Sequence, residues 1–338
     1  MIAFYHPGQR AHDPQFFLSS GAPKPCPEKP ARIDALLAGV VLLGLQVQTP
    51  ADHGLDAIAA IHPDRYLGFL QTIHSRWTRI KDASAEVIPN IHPASRSDGY
   101  PLSAVGQAGF HMTDTSCPIN ADTWAAAYAS AQSAIAAAEL VLQGQRNAYA
   151  LCRPPGHHAF AEIAGGFCYL NNTAIAAQQL TLSGRKVAVL DVDLHHGNGT
   201  QDIFYDRPDV LTVSIHAHPE RFYPFFWGYP DERGLGAGYG ANLNLCLERG
   251  TADPGFLTVL QQALNAITLW GADTIVLALG LDAFIGDPFA GLAVTTQGFA
   301  RIGAEVAALH LPTLIVQEGG YLCPELGTNL AAVLNAFV

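Results

Sequence analysis

The 338-residue chain has 18 Lys and Arg residues against 29 Asp and Glu, which gives a formal net charge of −11. Its 49% hydrophobic and 14% charged residues are typical of a well-packed globular protein, and an acidic chain without a Lys/Arg run is a poor partner for nucleic acid or an anionic membrane. The six cysteines form no CxxC pair, and the N-terminal sequence MIAFYHPGQR lacks the pattern of a secretion signal. We therefore expect a reduced, cytoplasmic protein with a single domain over residues 1–338.

The first half of the chain contains two predicted helices and one long predicted loop. The apolar run ALLAGVVLLGL near residue 40 is too short to span a bilayer and predicts a buried helix. Residues 84–122 are rich in Pro, Gly, Ser and Asp and show no sustained hydrophobic period. We expect a structureless loop there that serves as a lid or a subunit interface. The alanine-rich stretch at 123–144 predicts the second helix.

The rest of the chain alternates between apolar strands and helical segments. The predicted strands are AYALCRPPGHH, KVAVLDVDLHH, VLTVSIHAH, TIVLALGLDAF and TLIVQEGGY, each ending in polar residues. Helical segments such as LNNTAIAAQQLTL lie between them. This alternation predicts a parallel sheet covered by helices on both faces, with a ligand site at the carboxyl ends of the strands.

The segment DVDLHHGNGT at 191–200 concentrates metal-ligating side chains at one strand end. Residues two apart in an extended segment point the same way, so Asp193 and His195 form a chelating pair with Asp191 beside them. A catalytic zinc takes three protein ligands, and Asp282, at the end of another predicted strand, supplies the third. The same three ligands could also bind Fe(II). If no metal binds, the three side chains would instead cap strand ends and turns.

The segment RPPGHHAF at 153–160 places His157 and His158 side by side at a further strand end. Two imidazoles beside a metal-bound water can divide proton transfer between them, and Asp191 and Asn198 are available to orient their second ring nitrogens. Tyr321, in QEGGYL, could donate to an oxyanion. Without such roles, the histidines would cap a loop and the tyrosine would pack in the core.

Several motifs occur together in one order: RPPGHHAF, GGFCYLNN, DVDLHHGNGTQDIFY, VSIHAHP, LGLDAFIGDP and EGGY. In this the sequence resembles the histone deacetylase superfamily, and within it the bacterial acetylpolyamine amidohydrolases. The N-terminal segments FYHPGQRAHDP, PEKPARIDALL and IHPDRYLGFL are similar to the first part of that family. The resemblance implies an α/β protein with the three-layer α/β/α arginase/deacetylase fold, built on an eight-stranded parallel sheet.

The resemblance also implies a role for each site residue. Zinc would bind Asp193, His195 and Asp282. His157 would be the general base, oriented by Asp191, and His158 the general acid, oriented by Asn198. Tyr321 would polarise the amide carbonyl. A structural potassium ion is expected on Asp191 and Ser214.

The substrate channel is also inferred from this resemblance. Phe167, next to Gly166, and Phe226 match its aromatic walls, which hold an extended methylene chain in family members. Phe226 could instead be a core-packing residue. Arg32 matches an arginine near the family's internal acetate pocket.

The long loop departs from the pattern of polyamine-selective relatives. There it forms a dimer contact that narrows the channel, and some members place glutamates in it near the substrate's amines. An ungapped alignment puts Val105 and Ser116 at those two positions here. Asp98, Asp114 or Asp122 could replace the lost charge, or could be solvated loop residues. The family pattern predicts a homodimer or a dimer of dimers.

The function expected from the sequence is a zinc-dependent amidohydrolase that deacetylates a small, extended acetylated amine such as an acetylpolyamine. Acetyl-lysine peptides and uncharged acyl amides are alternative substrates. Two different classes of function stay open. One is an arginase-like hydrolase with two metals, in which His196 and Asn198 would be sought as additional ligands, and the second is a non-catalytic small-molecule binder.

Overall fold

A parallel eight-stranded sheet forms the centre of the computed structural model, which describes residues 1–95 and 99–338. In chain order its strands are β1 (Ile2–Phe4), β4 (Gln46–Gln48), β5 (Asn147–Ala150), β6 (Val187–Asp191), β7 (Val210–Ala217), β8 (Asn242–Leu247), β9 (Thr274–Leu279) and β10 (Thr313–Gln317), while β2 (Phe16–Ser19) and β3 (Ala22–Pro25) form a separate antiparallel hairpin. The order across the sheet is β4-β1-β5-β10-β9-β6-β7-β8, and neighbouring strands pair in parallel. The predicted α/β class and parallel sheet are confirmed.

Helices cover both faces of the sheet. They are α1 (Ala31–Leu42), α2 (Asp56–Ala59), α3 (Asp64–Trp77), α4 (Ala104–His111), α5 (Thr123–Leu142), α6 (Asn172–Leu182), α7 (Asn198–Phe204), α8 (Asp253–Trp270), α9 (Thr296–Ala307) and α10 (Leu326–Leu334). The run near residue 40 forms α1, as predicted, although Val41 and Leu42 are 68% and 69% exposed. Helix α5 is apolar enough to cross a membrane, but 72% of its apolar window is buried inside the protein.

The alternation of side chains along β6 shows why the sheet has a core on each face. Val187 and Val189 pack in one apolar cluster, with residues of α3, α5 and α6. Ala188 and Leu190 point the other way and pack with residues of α1, α8, α9 and α10. Because both faces are covered, the strand is apolar throughout until it reaches Asp191, at its carboxyl end.

The prediction of a structureless loop at 84–122 is wrong in one respect. Residues 104–111 form helix α4, which begins where the Ser103 side chain accepts a hydrogen bond from the Gly106 N–H at 3.1 Å. An antiparallel bridge between Val87 and Ile119 brings the two ends of the segment together. The described part of the segment therefore contains a helix of its own, since a short capped helix can form without a long hydrophobic period.

Candidate active site

Asp193, His195 and Asp282 meet at the carboxyl edge of the sheet. Asp193 and His195 follow β6, and Asp282 follows β9, its neighbour in the sheet. His195 Nδ1 lies 3.3 Å from Asp193 Oδ1 and 3.1 Å from Asp282 Oδ2. One ligand atom from each of the three buried residues lies within 4.8 Å of the others. Within residues 1–95 and 99–338 this is the one group of His, Cys, Asp and Glu side chains with such spacing.

Backbone donors hold the two carboxylates in place. The Gly319 N–H donates to Asp193 Oδ2 at 2.8 Å, and the Leu194 N–H donates to Asp282 Oδ1 at 3.0 Å. A Cβ atom at Gly319 would overlap both carboxylates, so only glycine lets this backbone approach so closely. Each carboxylate keeps its other oxygen directed toward His195.

The electrostatics of the triad suit a divalent cation. Burial raises the pKa of Asp282, and the nearby Asp193 carboxylate raises it further. Burial lowers the pKa of His195, but its hydrogen bonds to the two carboxylates outweigh that effect and raise it to about 9. Two buried carboxylates around one imidazole leave an excess of negative charge that a bound metal would compensate. One imidazole and two carboxylates match the three-ligand sets of catalytic zinc sites.

His157 and His158 lie beside the triad with their ring centroids 4.0 Å apart. His157 Nδ1 is 2.9 Å from Asp191 Oδ2, and His158 Nδ1 is 2.7 Å from Asn198 Oδ1. The other ring nitrogen of His157, Nε2, lies 3.8 Å from Asp193 Oδ1. Each histidine is thus oriented through Nδ1, by the two residues that the sequence suggested.

The two histidines have opposite electrostatic environments. Burial lowers the pKa of His157, but the Asp193 and Asp191 carboxylates outweigh it and raise the pKa to about 10. Burial also lowers the pKa of His158, and the charges of His157 and His195 lower it further, well below its ordinary value. The neutral amide of Asn198 offers no charge to oppose this. His157 therefore holds a proton more tightly than His158 does.

Glu318 is a site residue that the sequence reasoning missed. Its buried carboxylate accepts hydrogen bonds from the N–H groups of Gly156 and His157, at 2.6 and 3.0 Å, and from Thr173 Oγ1 at 2.6 Å. Burial raises its pKa to about 7. Glu318 anchors the turn that carries the two histidines. Its signal in the sequence was a glutamate directly after the apolar run TLIVQ.

A cleft of about 400 Å³ opens above the triad, and its walls are largely aromatic. Phe167 and Gly166 line it, and so does Phe226, whose side chain is 79% exposed. The sequence reasoning missed further wall residues, namely Phe17, Tyr223 and Phe289. The Tyr223 ring meets that of His158 edge-on at 4.9 Å, and thus lies close to the candidate catalytic residues.

Tyr321 lines the same cleft, and Arg32 lies behind it. The Tyr321 ring packs against Phe289 and Phe167, with centroids 4.7 and 6.0 Å away. The guanidinium carbon of Arg32 is 5.0 Å from the Tyr321 ring. Arg32 is fully buried and donates to the carbonyl oxygens of Glu318 and Gly320, at 2.8 and 2.5 Å. It is not among the residues that line the cleft.

The two residues expected to bind potassium are adjacent. Asp191 and Ser214 are paired in the register of β6 and β7, and both line a small cavity next to His196. Ser214 Oγ lies 2.8 Å from His216 Nδ1. His196, considered as a ligand to a second metal, instead has its Nε2 3.0 Å from Gln201 Oε1.

The structure separates the candidate residues of the 84–122 segment. Val105 lies on α4 and packs toward the core, away from the cleft, whereas Ser116 lines the cleft. Asp114 also lines the cleft, and Asp122 is exposed just before α5. Asp98 lies outside the described residues.

Known proteins match this chain over its whole length. The histone deacetylase domain matches residues 26–337, and the chain belongs to the histone deacetylase family. It is 46% identical over 338 residues to the acetylpolyamine amidohydrolase of Burkholderia pseudomallei, covering 100% of this chain and 98% of that protein. It is 43% identical over 342 residues to acetylpolyamine amidohydrolase 1 of Pseudomonas aeruginosa, covering 100% of this chain and 99% of that protein.

The crystal structure of the acetylpolyamine aminohydrolase from Burkholderia pseudomallei has the same fold. It superimposes with a TM-score of 0.97 at 46% sequence identity, covering 100% of this chain and 98% of that one. Membership of the family makes the chain a deacetylase, a hydrolase. The expectations of family, arginase/deacetylase fold and enzyme class are thereby confirmed.

Proposed function

We propose that the protein is a zinc-dependent amidohydrolase that removes the acetyl group from a small, extended amine such as an acetylpolyamine. The observation that carries the proposal is the convergence on one aromatic cleft of a buried ligand triad, a histidine pair and a tyrosine. The similarity to acetylpolyamine amidohydrolases over the full chain supports the substrate class. Zinc is the metal that we propose, and Fe(II) is the alternative that the same ligands allow.

The metal would be held by Asp193, His195 and Asp282, and when bound it would supply a Lewis acid for the amide carbonyl and activate a water. The positive charge of a bound metal would lower the pKa of the neighbouring His157 and leave its imidazole free to accept a proton. Oriented by Asp191, His157 then takes up a proton from the attacking water.

His158, oriented by Asn198, delivers a proton to the departing amine. This role suits an imidazole whose pKa burial has lowered, because its imidazolium form gives up a proton readily. Tyr321 Oη donates a hydrogen bond to the carbonyl oxygen as negative charge develops on it. Arg32 packs against the Tyr321 ring and donates hydrogen bonds to the carbonyl oxygens of Glu318 and Gly320. We place it near the acetyl end of the substrate.

The cleft favours a thin, flexible substrate. Phe167 and Phe226 supply apolar walls to a methylene chain, and Gly166 lets the wall come close to His158, where a Cβ atom would overlap the ring. Walls made of aromatic rings suit a methylene chain better than the polar flanking residues of a folded protein substrate. An acetyl-lysine peptide and an uncharged acyl amide are the competing substrates to be tested.

Four further assignments belong to the same proposal. Residues 1–338 form a single catalytic domain, and the 84–122 segment serves as a lid or as the contact of a homodimer or a dimer of dimers. Asp191 and Ser214 hold a structural potassium ion, supported by their adjacency beside a small cavity. The protein works in the cytoplasm, supported by six cysteines that are all free in the structure.

The test is steady-state turnover of the zinc-loaded protein on acetylputrescine, acetylspermidine, acetylcadaverine, an acetyl-lysine peptide and uncharged acyl amides. We expect the highest kcat/KM for the small polyamines. A preference for the peptide or for uncharged amides would replace the substrate class while keeping the chemistry. A zinc-loaded protein that is inert on the whole panel would refute the enzymatic proposal.

A further inference from the structure

Asp287 is a buried carboxylate beside the candidate active site that has no step in the proposed mechanism. It lies in the loop between β9 and α9, five positions after Asp282. Its Oδ2 accepts a hydrogen bond from the Tyr321 N–H at 2.8 Å, and its Oδ1 accepts one from the Phe289 N–H at 2.9 Å. One side chain thus holds the backbone of two aromatic residues that line the cleft.

The backbone that carries Tyr321 lies beyond the sheet. β10 ends at Gln317, and Gly319 and Gly320 directly precede the tyrosine. Gly320 has a φ of +109°, a conformation that favours glycine, and adjacent glycines allow the chain many alternative conformations. The position of the Tyr321 hydroxyl therefore depends on contacts made after the strand has ended. The hydrogen bond to Asp287 is one of these, and it acts on the Tyr321 backbone itself.

The loop that carries Asp287 is tied to neighbouring backbone. The Ile285 N–H donates to the Val294 carbonyl oxygen at 2.9 Å, and the Val294 N–H donates to that of Ala283 at 3.0 Å. The Ala290 N–H donates to the Asp287 carbonyl oxygen at 3.0 Å. A residue that orients a catalytic group must itself be held in place by other contacts, and Asp287 meets this requirement.

Phe289 gives Asp287 a second way to act on the tyrosine. The Phe289 ring meets the Tyr321 ring at a centroid distance of 4.7 Å and the His195 ring at 5.2 Å. The hydrogen bond from the Phe289 N–H to Asp287 therefore holds the ring that separates the tyrosine from a residue of the ligand triad. The two oxygens of Asp287 fix both the backbone of Tyr321 and the ring against which it packs.

A carboxylate in this place lowers stability unless it is well paired. Burial and the charge of Asp282 raise the pKa of Asp287 to about 7, although its two N–H donors oppose this shift. An uncharged side chain of similar size would avoid the cost of burying a charge. The carboxylate has one property that such a side chain lacks, namely two acceptor oxygens for two different segments of the chain.

We propose that Asp287 is a positioning residue for the deacetylation reaction, which holds Tyr321 so that its hydroxyl meets the carbonyl oxygen of the substrate. The inference rests on the proposed function and deepens it. In this role Asp287 touches neither the substrate nor the metal. Its contribution is preorganisation, because a displacement of about 1 Å at a catalytic group lowers the rate by up to about 100-fold.

The first measurement is kcat and KM for N-acetylputrescine with zinc-loaded Asp287→Asn. The amide NH2 group is not an acceptor, so one of the two N–H groups loses its partner. We expect kcat per bound zinc to fall by about 10- to 100-fold, while KM stays within about threefold of wild type. A kcat within about threefold of wild type, or a loss that lies mainly in KM, would overturn the proposal.

A double-mutant cycle shows whether the loss acts through Tyr321. The Tyr321→Phe variant has no hydroxyl to misplace, so adding Asp287→Asn to it should change kcat by no more than about twofold. General damage to the fold would instead lower kcat by the same factor in both backgrounds. A loss in the Tyr321→Phe background that exceeds half of the wild-type loss on a logarithmic scale would refute the positioning role.

Asp253→Asn is the matched control. Asp253 is a half-buried carboxylate at the start of α8, and its oxygens accept from the Thr295 N–H and hydroxyl at 2.8 and 2.6 Å. It is not among the residues that line the cleft, so kcat should be unchanged. A loss equal to that of Asp287→Asn would count against the proposal. If Asp287→Asn does not fold, Asp287→Ser, which also removes the carboxylate, takes its place under the same criteria.

Failure of the proposed function would be visible separately. If wild-type protein hydrolyses no amide of the panel, the deacetylase proposal fails, and fluorine NMR of a fluorinated tyrosine at position 321 decides the role of Asp287. A shifted or additional resonance in Asp287→Asn, with the wild-type resonance kept in Asp253→Asn, supports the positioning role. Identical spectra for wild type and Asp287→Asn, or an equal change in both variants, overturn it.

Discussion

Replacing Tyr321 by Phe tests the proposed chemistry with little disturbance of the structure. The ring packs against Phe289 and Phe167, Arg32 lies over its face, and the backbone N–H donates to Asp287 Oδ2 at 2.8 Å. Phenylalanine keeps all of these contacts. We therefore expect the free energy of unfolding to change by no more than about 0.5 kcal/mol. Zinc content should be unchanged, because Tyr321 is not part of the ligand triad.

The expected loss of activity follows from the role of the hydroxyl group. If Tyr321 Oη donates to the developing oxyanion, its removal costs about 2.7–4 kcal/mol of transition-state stabilisation and lowers kcat by about 10²–10³. KM should change little, since the hydrogen bond strengthens only as charge develops on the oxygen.

The assay is steady-state deacetylation of N-acetylputrescine by wild-type and Tyr321→Phe protein, with bound zinc measured on the same samples. A kcat within about threefold of wild type at full zinc occupancy would remove the hydroxyl from the mechanism. A fall in activity that matched a fall in bound zinc would assign the effect to the metal site instead.

Three other substitutions give distinct readouts. Asn198→Asp places a carboxylate beside His158 Nδ1, and Asn198 Nδ2 has no hydrogen-bond partner in the described chain that the change would remove. The limb of the pH profile of kcat/KM that reports His158 should therefore move up by about one pH unit or more. An unmoved limb would contradict the proposed interaction between residue 198 and His158. Asp282→Asn should abolish the rise in Tm on adding zinc. For wild type, a zinc concentration of a hundred times Kd corresponds to a stabilisation of about 2.7 kcal/mol. An equal rise in Tm in both proteins would exclude the triad as the zinc site. His62 accepts a hydrogen bond from the Asn171 N–H, and burial lowers its pKa to about 4. The unfolded state therefore binds more protons than the folded state as the pH falls from about 6.5 to 4, and the free energy of unfolding drops by up to about 3 kcal/mol. In urea unfolding, His62→Gln should lose less stability over this pH range, and a loss equal to that of wild type would refute the role of His62.

The central strands and the site side chains at their ends could be predicted from the sequence. β6, β9 and β10 are apolar throughout because both faces are covered, and each run ends where polar residues begin. Asp193, His195 and Asp282 were visible because a strand end is also a ligand-binding edge in a parallel sheet. Their convergence depends on β6 and β9 being neighbours, which the sequence alone does not reveal but the family resemblance implied.

The parts that escaped prediction depend on contacts between distant segments. The edge strand β4 and its neighbour β1 have only three residues each, too few to show a pattern. Glu318 is one polar residue after a strand, and only the fold brings it under the turn of His157. The pairing of Asp114 with Tyr223 spans more than a hundred residues of the chain and leaves no local signal.

The sheet and the loops around the cleft should differ in how readily they open. β6, β9 and β10 each have hydrogen-bonded neighbours on both sides, so their amide protons should exchange with solvent only through global unfolding. Much of the cleft wall comes instead from the β2–β3 hairpin, from Thr113, Asp114 and Ser116, and from residues 223–227, which should exchange through local opening. Amino-acid substitutions in these loops can change which amine is accepted, while the sheet keeps the residues of the triad together. Directed evolution toward new acyl amides should therefore randomise the loops and leave the strand ends untouched.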